Sequence, residues 1–199
     1  MPNTEIQALE KQIYDLNIKL VALRKSSSLN IAVPNYSFQT QRGDTTLLDL
    51  FGDNDTLLVI HNMGQGCRYC TLWADGFNGL LPHLESIMGV VLVSKDAPDL
   101  QRQFANSRDW RFHLVSHAGG DYIVEQSVQE GQGNVPGAVI YQREGDRITR
   151  KHASSFGPGD QYCAMWSLLG LAGLSPADWT PQYAYWKQPS ALDDGENVL

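Results

Sequence analysis

Two cysteines that are three residues apart, Cys67 and Cys70, are the residues of this chain best suited to covalent chemistry. They follow an apolar run at 57–60 and a glycine-containing loop at 62–66, and they begin a stretch with a helical pattern. The first turn of a helix presents unpaired N–H groups and a partial positive charge, which favour a thiolate over a thiol. A cysteine three residues later lies one turn away on the same side. The pattern predicts a redox-active dithiol.

Each residue around the pair has an expected role. We expect Cys67 to attack a substrate disulfide and Cys70 to resolve the mixed disulfide that forms. His61 is the candidate base for the Cys70 proton, because imidazole has an unperturbed pKa of about 6.5. The alternative for His61 is an ordinary histidine at a strand end. Arg68 adds positive charge beside the first sulfur, and Arg68 and Tyr69 are the expected substrate contacts.

Two other uses of the cysteine pair stay open. A zinc site needs a second pair of ligands, and the sequence holds no second C-x-x-C, although Cys163 with one histidine could complete a tetrahedral set. The other histidines lack the H-x-x-x-H spacing of metal-binding helices. Both thiols could instead be inert core residues, but the Gly-Gln-Gly sequence at 64–66 and the arginine between the thiols favour exposure. We therefore expect no metal and no organic cofactor.

The surrounding sequence alternates between strand and helix patterns, which is typical of an α/β domain. Strands are predicted at 36–38, 57–61, 88–94, 110–114 and 135–141, with a hairpin partner at 147–152. Helices are predicted at 4–25 and 45–51, after Cys67, from an N-cap at Asp96, and at 160–171. Residues 116–134 are rich in glycine and form the longest irregular stretch. We expect an arm at 1–28, one domain at 29–181 and a tail at 182–199.

The first predicted helix carries a narrow apolar stripe. Its members recur at alternating spacings of three and four residues, which is the heptad pattern of helices that pair with another helix. The stripe consists of Ile6, Leu9, Ile13, Leu16, Leu20 and Leu23. A helix packed on its own domain is the alternative, but a seam this narrow suits another helix better than a broad core. The pattern predicts a homodimer in which this helix is the arm.

Composition limits the choice of partner and compartment. The chain has 199 residues, with 15 Lys and Arg against 22 Asp and Glu, for a formal net charge of −7. An acidic chain without a basic block matches nucleic acid and anionic lipid poorly. The longest apolar runs are too short for a membrane span, and the first residues lack a signal-peptide pattern. We expect a cytoplasmic protein, in which a close cysteine pair is more often redox-active or metal-binding than structural.

The order of these elements resembles that of the thioredoxin-like superfamily. The run at 73–79, Trp-Ala-Asp-Gly-Phe-Asn-Gly, is similar to a run in a mostly bacterial family called domain of unknown function 899, and so is the leading helix. The resemblance covers about residues 4–181. It implies a thioredoxin-like fold, with a central mixed sheet, flanking helices and an N-terminal helical arm. It also implies that Pro136 follows a cis peptide bond and lies against the cysteines, where Val135 and Pro136 shape the substrate cleft.

The segment at 110–134 also resembles the insertion of peroxiredoxin-like members of the superfamily, which implies a peroxidase as an alternative. Such enzymes carry Thr or Ser three residues before the reactive cysteine, where this chain has Gly64. The Arg68-Tyr69 dipeptide replaces the Gly-Pro of thioredoxin, and this dipeptide tunes the potential and the direction of electron flow. We predict a thiol–disulfide oxidoreductase acting on a disulfide-bearing substrate or a redox partner protein. A non-catalytic redox sensor or scaffold is the second alternative.

Overall fold

The computed structural model describes residues 2–27 and 31–182, and it joins eight strands into one mixed sheet. The strands are β1 (Ile31–Val33), β2 (Ser37–Thr40), β3 (Gly43–Thr46), β4 (Thr56–His61), β5 (Gly89–Ser94), β6 (His113–Ser116), β7 (Gly137–Glu144) and β8 (Arg147–Ser155). The helices are α1 (Pro2–Ser26), α2 (Arg68–Glu85), α3 (Pro98–Ser107), α4 (Asp121–Glu125) and α5 (Ala164–Leu171). Short 3-10 helices span Asp49–Phe51 and Pro176–Asp178.

The sheet runs in the order β1-β8-β7-β4-β5-β6-β2-β3. Strands β4, β5 and β6 are parallel neighbours, and β7 pairs with β4 in the antiparallel direction. The hairpin of β7 and β8 and the antiparallel strands β1, β2 and β3 complete the two sides. The carboxyl ends of β4, β5 and β6 therefore meet at one edge, and the loop that leads to Cys67 leaves from that edge.

Side chains alternate between the two faces of a strand, so β4 supplies both cores. Ile60 packs on the α2 face, where Trp73, Leu81, Phe112 and Trp166 are buried. The opposite face carries α4 and the first 3-10 helix, and we call it the α4 face. Its buried core includes Phe38, Phe51, Leu57, Val59, Tyr122 and Tyr141. The sheet is thus covered on both faces, as its apolar central strands require.

Helix α1 is only loosely attached to the rest of the chain. Asn17, Leu20 and Arg24 are half-buried, and Arg24 Nη2 donates a hydrogen bond of 3.3 Å to Tyr162 Oη. Most of the predicted stripe stays exposed: Ile6, Leu9, Ile13, Leu16 and Leu23 are each more than half exposed. Within the described ranges, no helix has the length and apolar character needed to cross a membrane.

The predicted α/β alternation is confirmed, and several local predictions are wrong. The strand predicted at 110–114 is β6, which spans His113–Ser116. The helix at 45–51 is instead the end of β3 followed by a 3-10 turn. The last helix begins at Ala164 because the Asp160 carboxylate accepts the N–H groups of Gly157, Tyr162 and Cys163 and folds them into a turn. The irregular stretch contains α4. Apart from residue 182, the predicted tail at 182–199 lies outside the described residues.

Candidate functional site

The two sulfurs lie at the start of α2 and share the backbone of its first turn. Cys67 is the N-cap of the helix, and its Sγ accepts the N–H of Cys70 at 3.1 Å. The Cys70 Sγ accepts the N–H of Met63 at 3.5 Å. All three cysteines of the chain, including Cys163 at the N-cap of α5, are free thiols. A main-chain N–H group therefore donates to each sulfur of the pair.

Both cysteines are buried, which makes the expectation of exposure wrong. Cys67 is 1% exposed and Cys70 is 2% exposed. The preceding loop contributes to the surroundings of Cys70, whose Sγ accepts the N–H of Met63. Burial raises the pKa of the Cys70 thiol well above its ordinary value, and the hydrogen bond to Cys67 and the charge of Cys67 raise it further. Cys70 therefore holds its proton more tightly than an ordinary thiol.

Two polar side chains brace this loop. Asn62 Oδ1 accepts the N–H of Gly64 at 2.8 Å, and Asn62 Nδ2 donates to the Cys70 carbonyl at 3.4 Å. Asp96 Oδ2 accepts the N–H of Gln65 at 2.7 Å. Asp96 was expected to cap α3, but the N-cap of that helix is Ala97, and Asp96 caps the cysteine loop instead.

Gly64 fits this loop because it has no side chain. Its φ of +110° is unfavourable for any other residue, and a Cβ there would lie 2.8 Å from Asp96 Oδ1. Sequence reasoning missed the loop roles of Asn62 and Asp96. The available signal was that each residue follows a buried parallel strand, and such strand ends meet at one edge.

The dipeptide between the sulfurs is half-buried. The ring of Tyr69 lies 6.2 Å from that of Trp73 and 6.5 Å from that of Trp166, measured between centroids. Arg68 makes no ion pair within the described ranges, and its Nε is buried without a hydrogen-bond partner. Tyr69 thus joins the aromatic core of the α2 face, and Arg68 supplies positive charge between the two cysteines in the sequence. Their contact with substrate stays a prediction.

Val135 and Pro136 come directly before β7, at the sheet edge from which the cysteine loop also leaves. Both residues are half-buried, and the Pro136 carbonyl accepts the N–H of Phe156 at 2.8 Å. The implied cis bond is wrong, since the described residues contain no cis peptide bond. The chain enters this segment through Asn134, whose φ of 48° is left-handed.

His61 projects from β4 onto the α4 face, whereas its neighbour Ile60 packs on the α2 face. Its Nε2 lies 2.8 Å from Tyr122 Oη, and its Nδ1 is buried without a hydrogen-bond partner. Burial, followed by charge interactions with Arg150 and with the protonated form of His117, lowers the pKa of His61 to about 3. The structure therefore brings His61 to Tyr122. Its action as a base on Cys70 stays a prediction.

Beyond Tyr122, hydrogen bonds continue from side chain to side chain across the α4 face. Tyr141 Oη lies 3.3 Å from Tyr122 Oη and 3.2 Å from Gln126 Oε1. Gln126 Nε2 donates to Tyr36 Oη at 3.0 Å, and Tyr36 donates to Glu125 Oε2 at 2.6 Å. We call this set, with His61, the tyrosine network. Burial is the largest cause that raises the pKa of Tyr36 to about 12, and it also raises the pKa values of Tyr122 and Tyr141.

His117 lies at the end of β6, at the same edge of the sheet. Its Nδ1 accepts the N–H of Gly119 at 3.1 Å, and its Nε2 is buried without a hydrogen-bond partner. Burial, with a smaller contribution from Lys95, lowers the pKa of His117 to about 4. Both buried histidines are therefore neutral at neutral pH.

A family model described as "Bacterial protein of unknown function (DUF899)" matches residues 4–189. The chain belongs to this family. The match covers most of the sequence, including the cysteine pair and the Trp-Ala-Asp-Gly-Phe-Asn-Gly run. A comparison with curated proteins finds no match.

Solved structures similar to this DUF899 chain share its fold. A peroxiredoxin-like protein from Aquifex aeolicus is 17% identical, with a TM-score of 0.50 over 64% of this chain and 75% of that chain. Peroxidoxin BcpB from Mycobacterium tuberculosis is 20% identical, with a TM-score of 0.50 over 64% of this chain and 84% of its own. A reduced 2-Cys peroxiredoxin from Plasmodium vivax is 12% identical, with a TM-score of 0.50 over 66% and 73%. The thioredoxin-like fold of the peroxiredoxin kind is thus confirmed.

The DUF899 run after the cysteines has a structural role. Asp75 pairs with Arg108 and accepts a hydrogen bond of 2.8 Å from Trp110 Nε1. Asn78 Nδ2 donates to the Asp109 carbonyl at 3.1 Å, and Asn78 Oδ1 accepts the N–H of Arg111 at 2.8 Å. These bonds tie α2 to the connection between α3 and β6. Over 2–27 and 31–182, no three His, Cys, Asp or Glu side chains form a group that could hold a metal.

Proposed function

We propose that Cys67 and Cys70 form a dithiol–disulfide couple that exchanges electrons with a disulfide in a protein or a small molecule. The observation that carries this proposal is the 3.1 Å hydrogen bond from the Cys70 N–H to the Cys67 Sγ. A main-chain donor at a helix start stabilises an anionic sulfur. The raised pKa of Cys70 suits a resolving thiol, which keeps its proton until the mixed disulfide has formed. Free thiols in this arrangement suit a reducing compartment, and we propose the cytoplasm.

The exchange proceeds in two balanced steps. The Cys67 thiolate attacks one substrate sulfur, an S–S bond forms between protein and substrate, and the other substrate sulfur leaves as a thiolate that takes up a proton. Cys70 then loses its proton and attacks Cys67 Sγ, which releases the first substrate sulfur as a second thiolate that takes up a proton. The protein gains a Cys67–Cys70 disulfide, and the substrate gains two electrons and two protons. A second dithiol returns the pair to the reduced state by the reverse steps.

Substrate access requires the loop at 62–66 to open, because Cys67 is 1% exposed. The loop carries two glycines, Gly64 and Gly66, and its attachment depends on Asn62 and Asp96. Opening removes the Met63 N–H from Cys70 and admits water. We propose that this opening, rather than the attack itself, limits the rate at which Cys67 reacts.

The proposal is tested by reduction of insulin disulfides with a dithiol as the electron source. We expect wild-type turnover, its loss in Cys67→Ser and in Cys70→Ser, and full activity in the matched control Cys163→Ser. In Cys70→Ser the mixed disulfide with substrate should accumulate on Cys67, where mass spectrometry detects it. Activity that survives both substitutions would remove the pair from the mechanism. Absence of turnover in the wild type, with a pair that still oxidises and reduces reversibly, would favour the redox sensor.

His61 enters the proposal as the candidate base for Cys70. A base role predicts that His61→Asn slows resolution and leaves more mixed disulfide, with little change in the first attack. Stopped-flow measurement of both phases separates the two effects. Equal rates of resolution in the variant and the wild type would contradict the base role and leave His61 only its contact with Tyr122.

A peroxidase is the second candidate, because the fold is shared with proteins named as peroxiredoxins. Gly64 stands where such enzymes carry Thr or Ser, and Asp96 occupies the space that a side chain would need there. We therefore expect hydroperoxide to oxidise Cys67 no faster than a free thiol in stopped-flow measurements. A rate several orders of magnitude faster would move the peroxidase into first place.

We also propose that α1 pairs with α1 of a second copy. Five members of its stripe are exposed, which leaves an apolar seam that a second helix could cover. Leu16→Asp would place an unpaired charge in that seam and should halve the mass measured by light scattering. The control Gln12→Asp, which lies off the stripe, should leave the mass unchanged. A wild-type monomer, or a dimer that Leu16→Asp leaves intact, would contradict the pairing.

A further inference from the structure

A cavity lies between α2, the β7–β8 hairpin and the end of α1. Its volume is about 270 Å³. The walls are apolar and include Leu58, Ile60, Phe77, Ile140 and Phe156. Neither Cys67 nor Cys70 lines this pocket. The thiol chemistry proposed above makes no use of this space.

Four polar residues also line the pocket: Arg24, His152, Ser154 and Tyr162. Arg24 is half-buried and donates one hydrogen bond, to Tyr162 Oη at 3.3 Å. No carboxylate of the described residues is within ion-pair distance of its guanidinium. A guanidinium carries five N–H donors in a fork that matches a carboxylate. An apolar pocket with such a group orients an occupant that has one apolar end and one anionic end.

We propose that this pocket binds a small amphipathic carboxylate, with its apolar chain inside and its carboxylate on Arg24. The volume suits a small molecule of roughly ten heavy atoms, since a water-sized group takes about 30 Å³. A helix is about 10 Å wide and would not fit, which disfavours the α1 of a second copy. The positive Arg24 favours an anion over a neutral molecule of the same length.

Isothermal titration of the full-length protein with octanoate tests the proposal. We expect saturable binding. Octanoate should bind about fourfold more tightly than heptanoate, because it buries one more methylene group and removes that apolar surface from water. Octanol should bind about tenfold more weakly than octanoate because it cannot pair with Arg24. An absence of saturable binding, an affinity independent of chain length, or equal binding of octanol and octanoate would overturn the proposal.

Two variant pairs locate the site. Arg24→Gln should weaken octanoate binding about tenfold and leave octanol binding unchanged, whereas the neighbouring control Lys25→Gln should change neither. Ala138→Phe fills the pocket and should abolish binding, and Ala32→Phe on exposed β1 is its control. If Ala138→Phe does not fold, the Arg24 pair and the chain-length series still decide. Unchanged octanoate binding in Arg24→Gln would contradict the assignment.

Two other occupants give distinct results. Tighter octanoate binding after the joint substitution Tyr185→Ala and Trp186→Ala would mean that this segment of the chain fills the pocket. An affinity that weakens as protein concentration rises would mean that a second copy fills it. Either result would overturn the proposal. None of these measurements uses redox activity, so failure here is distinguishable from failure of the dithiol mechanism.

Discussion

The cysteine pair and the tyrosine network are two buried polar regions held by different kinds of contact. Main-chain N–H groups meet both sulfurs, from Cys70 and Met63. In the tyrosine network every bond joins one side chain to another, from His61 through Tyr122 to Glu125. The first arrangement depends on the local course of one loop and one helix end. The second depends on residues brought together from β4, α4, β7 and the segment before β2.

This difference predicts how each region fails. A main-chain site tolerates side-chain changes and is sensitive to backbone conformation, whereas a side-chain network loses stability when one hydroxyl is removed. It also predicts opposite responses to pH. The buried histidines resist gaining a proton, and the buried Cys70 resists losing one.

The largest effect should come from Gly64→Ala in the loop before the cysteines. The left-handed φ and the collision with Asp96 should together lower the free energy of unfolding by on the order of 3 kcal/mol. Gly43→Ala is the matched control, because Gly43 has a φ of +112° and nothing within 4 Å of an added Cβ. Urea denaturation measures both. Equal losses for the two variants would show that Asp96 does not constrain the loop.

A smaller effect should follow Tyr122→Phe in the tyrosine network. Removal of its hydroxyl leaves His61 Nε2 buried without a partner, and the free energy of unfolding should fall by about 1–3 kcal/mol. The control is Tyr14→Phe, because Tyr14 is 65% exposed on α1 and lies outside the tyrosine network. Urea denaturation of both variants compares the losses. A neutral Tyr122→Phe would mean that side-chain bonds do not hold this region together.

The smallest effect should be the change in the free energy of unfolding per pH unit. Its direction differs between the two regions: acid destabilises the tyrosine network, and alkali destabilises the cysteine pair. An unfolded His61 binds a proton below about pH 6.5, but the folded one binds it only near pH 3. The unfolded chain therefore holds more protons between these values, and stability falls as pH falls, by on the order of 1 kcal/mol per pH unit. Cys70 acts in the other direction: its thiol ionises first in the unfolded chain, so stability falls as pH rises above about 9.

Substitutions distinguish these two pH responses. In urea titrations, His61→Gln should flatten part of the acid slope and leave the alkaline slope unchanged. Cys70→Ser should flatten the alkaline slope and leave the acid slope unchanged. His117 contributes to the acid slope as well, so His61→Gln removes only part of it. An acid slope that is identical in His61→Gln and the wild type would contradict the buried, neutral state of His61.

Sequence reasoning succeeded where the determinant is local. The C-x-x-C spacing, the apolar run before it and the helix after it placed Cys67 and Cys70 at a helix start. The same reasoning failed for exposure, because burial depends on how distant segments pack around the pair. The Gly64–Gly66 loop, for example, is held by Asp96, a residue that follows the next strand.

The tyrosine network could not be predicted from the sequence. Tyr36, Gln126 and Tyr141 are distant in the chain, and nothing in their local patterns distinguishes them from ordinary strand or loop residues. Their hydrogen bonds exist only after the sheet and α4 have packed. His61 was recognised as a residue with useful chemistry, but the alternation of β4 decides which face it takes, and that face carries the tyrosines.

Alkylation of individual cysteines as a function of pH, followed by peptide mass spectrometry, tests the central claim most directly. The proposed mechanism predicts that Cys67 reacts at a lower pH than Cys70, and that loosening the loop through Asp96→Ala speeds the Cys67 reaction. Cys163 provides the internal comparison, since its buried thiol also has a raised pKa. Alkylation of Cys70 before Cys67, or of Cys67 only together with Cys163, would contradict the assignment of Cys67 as the attacking thiol.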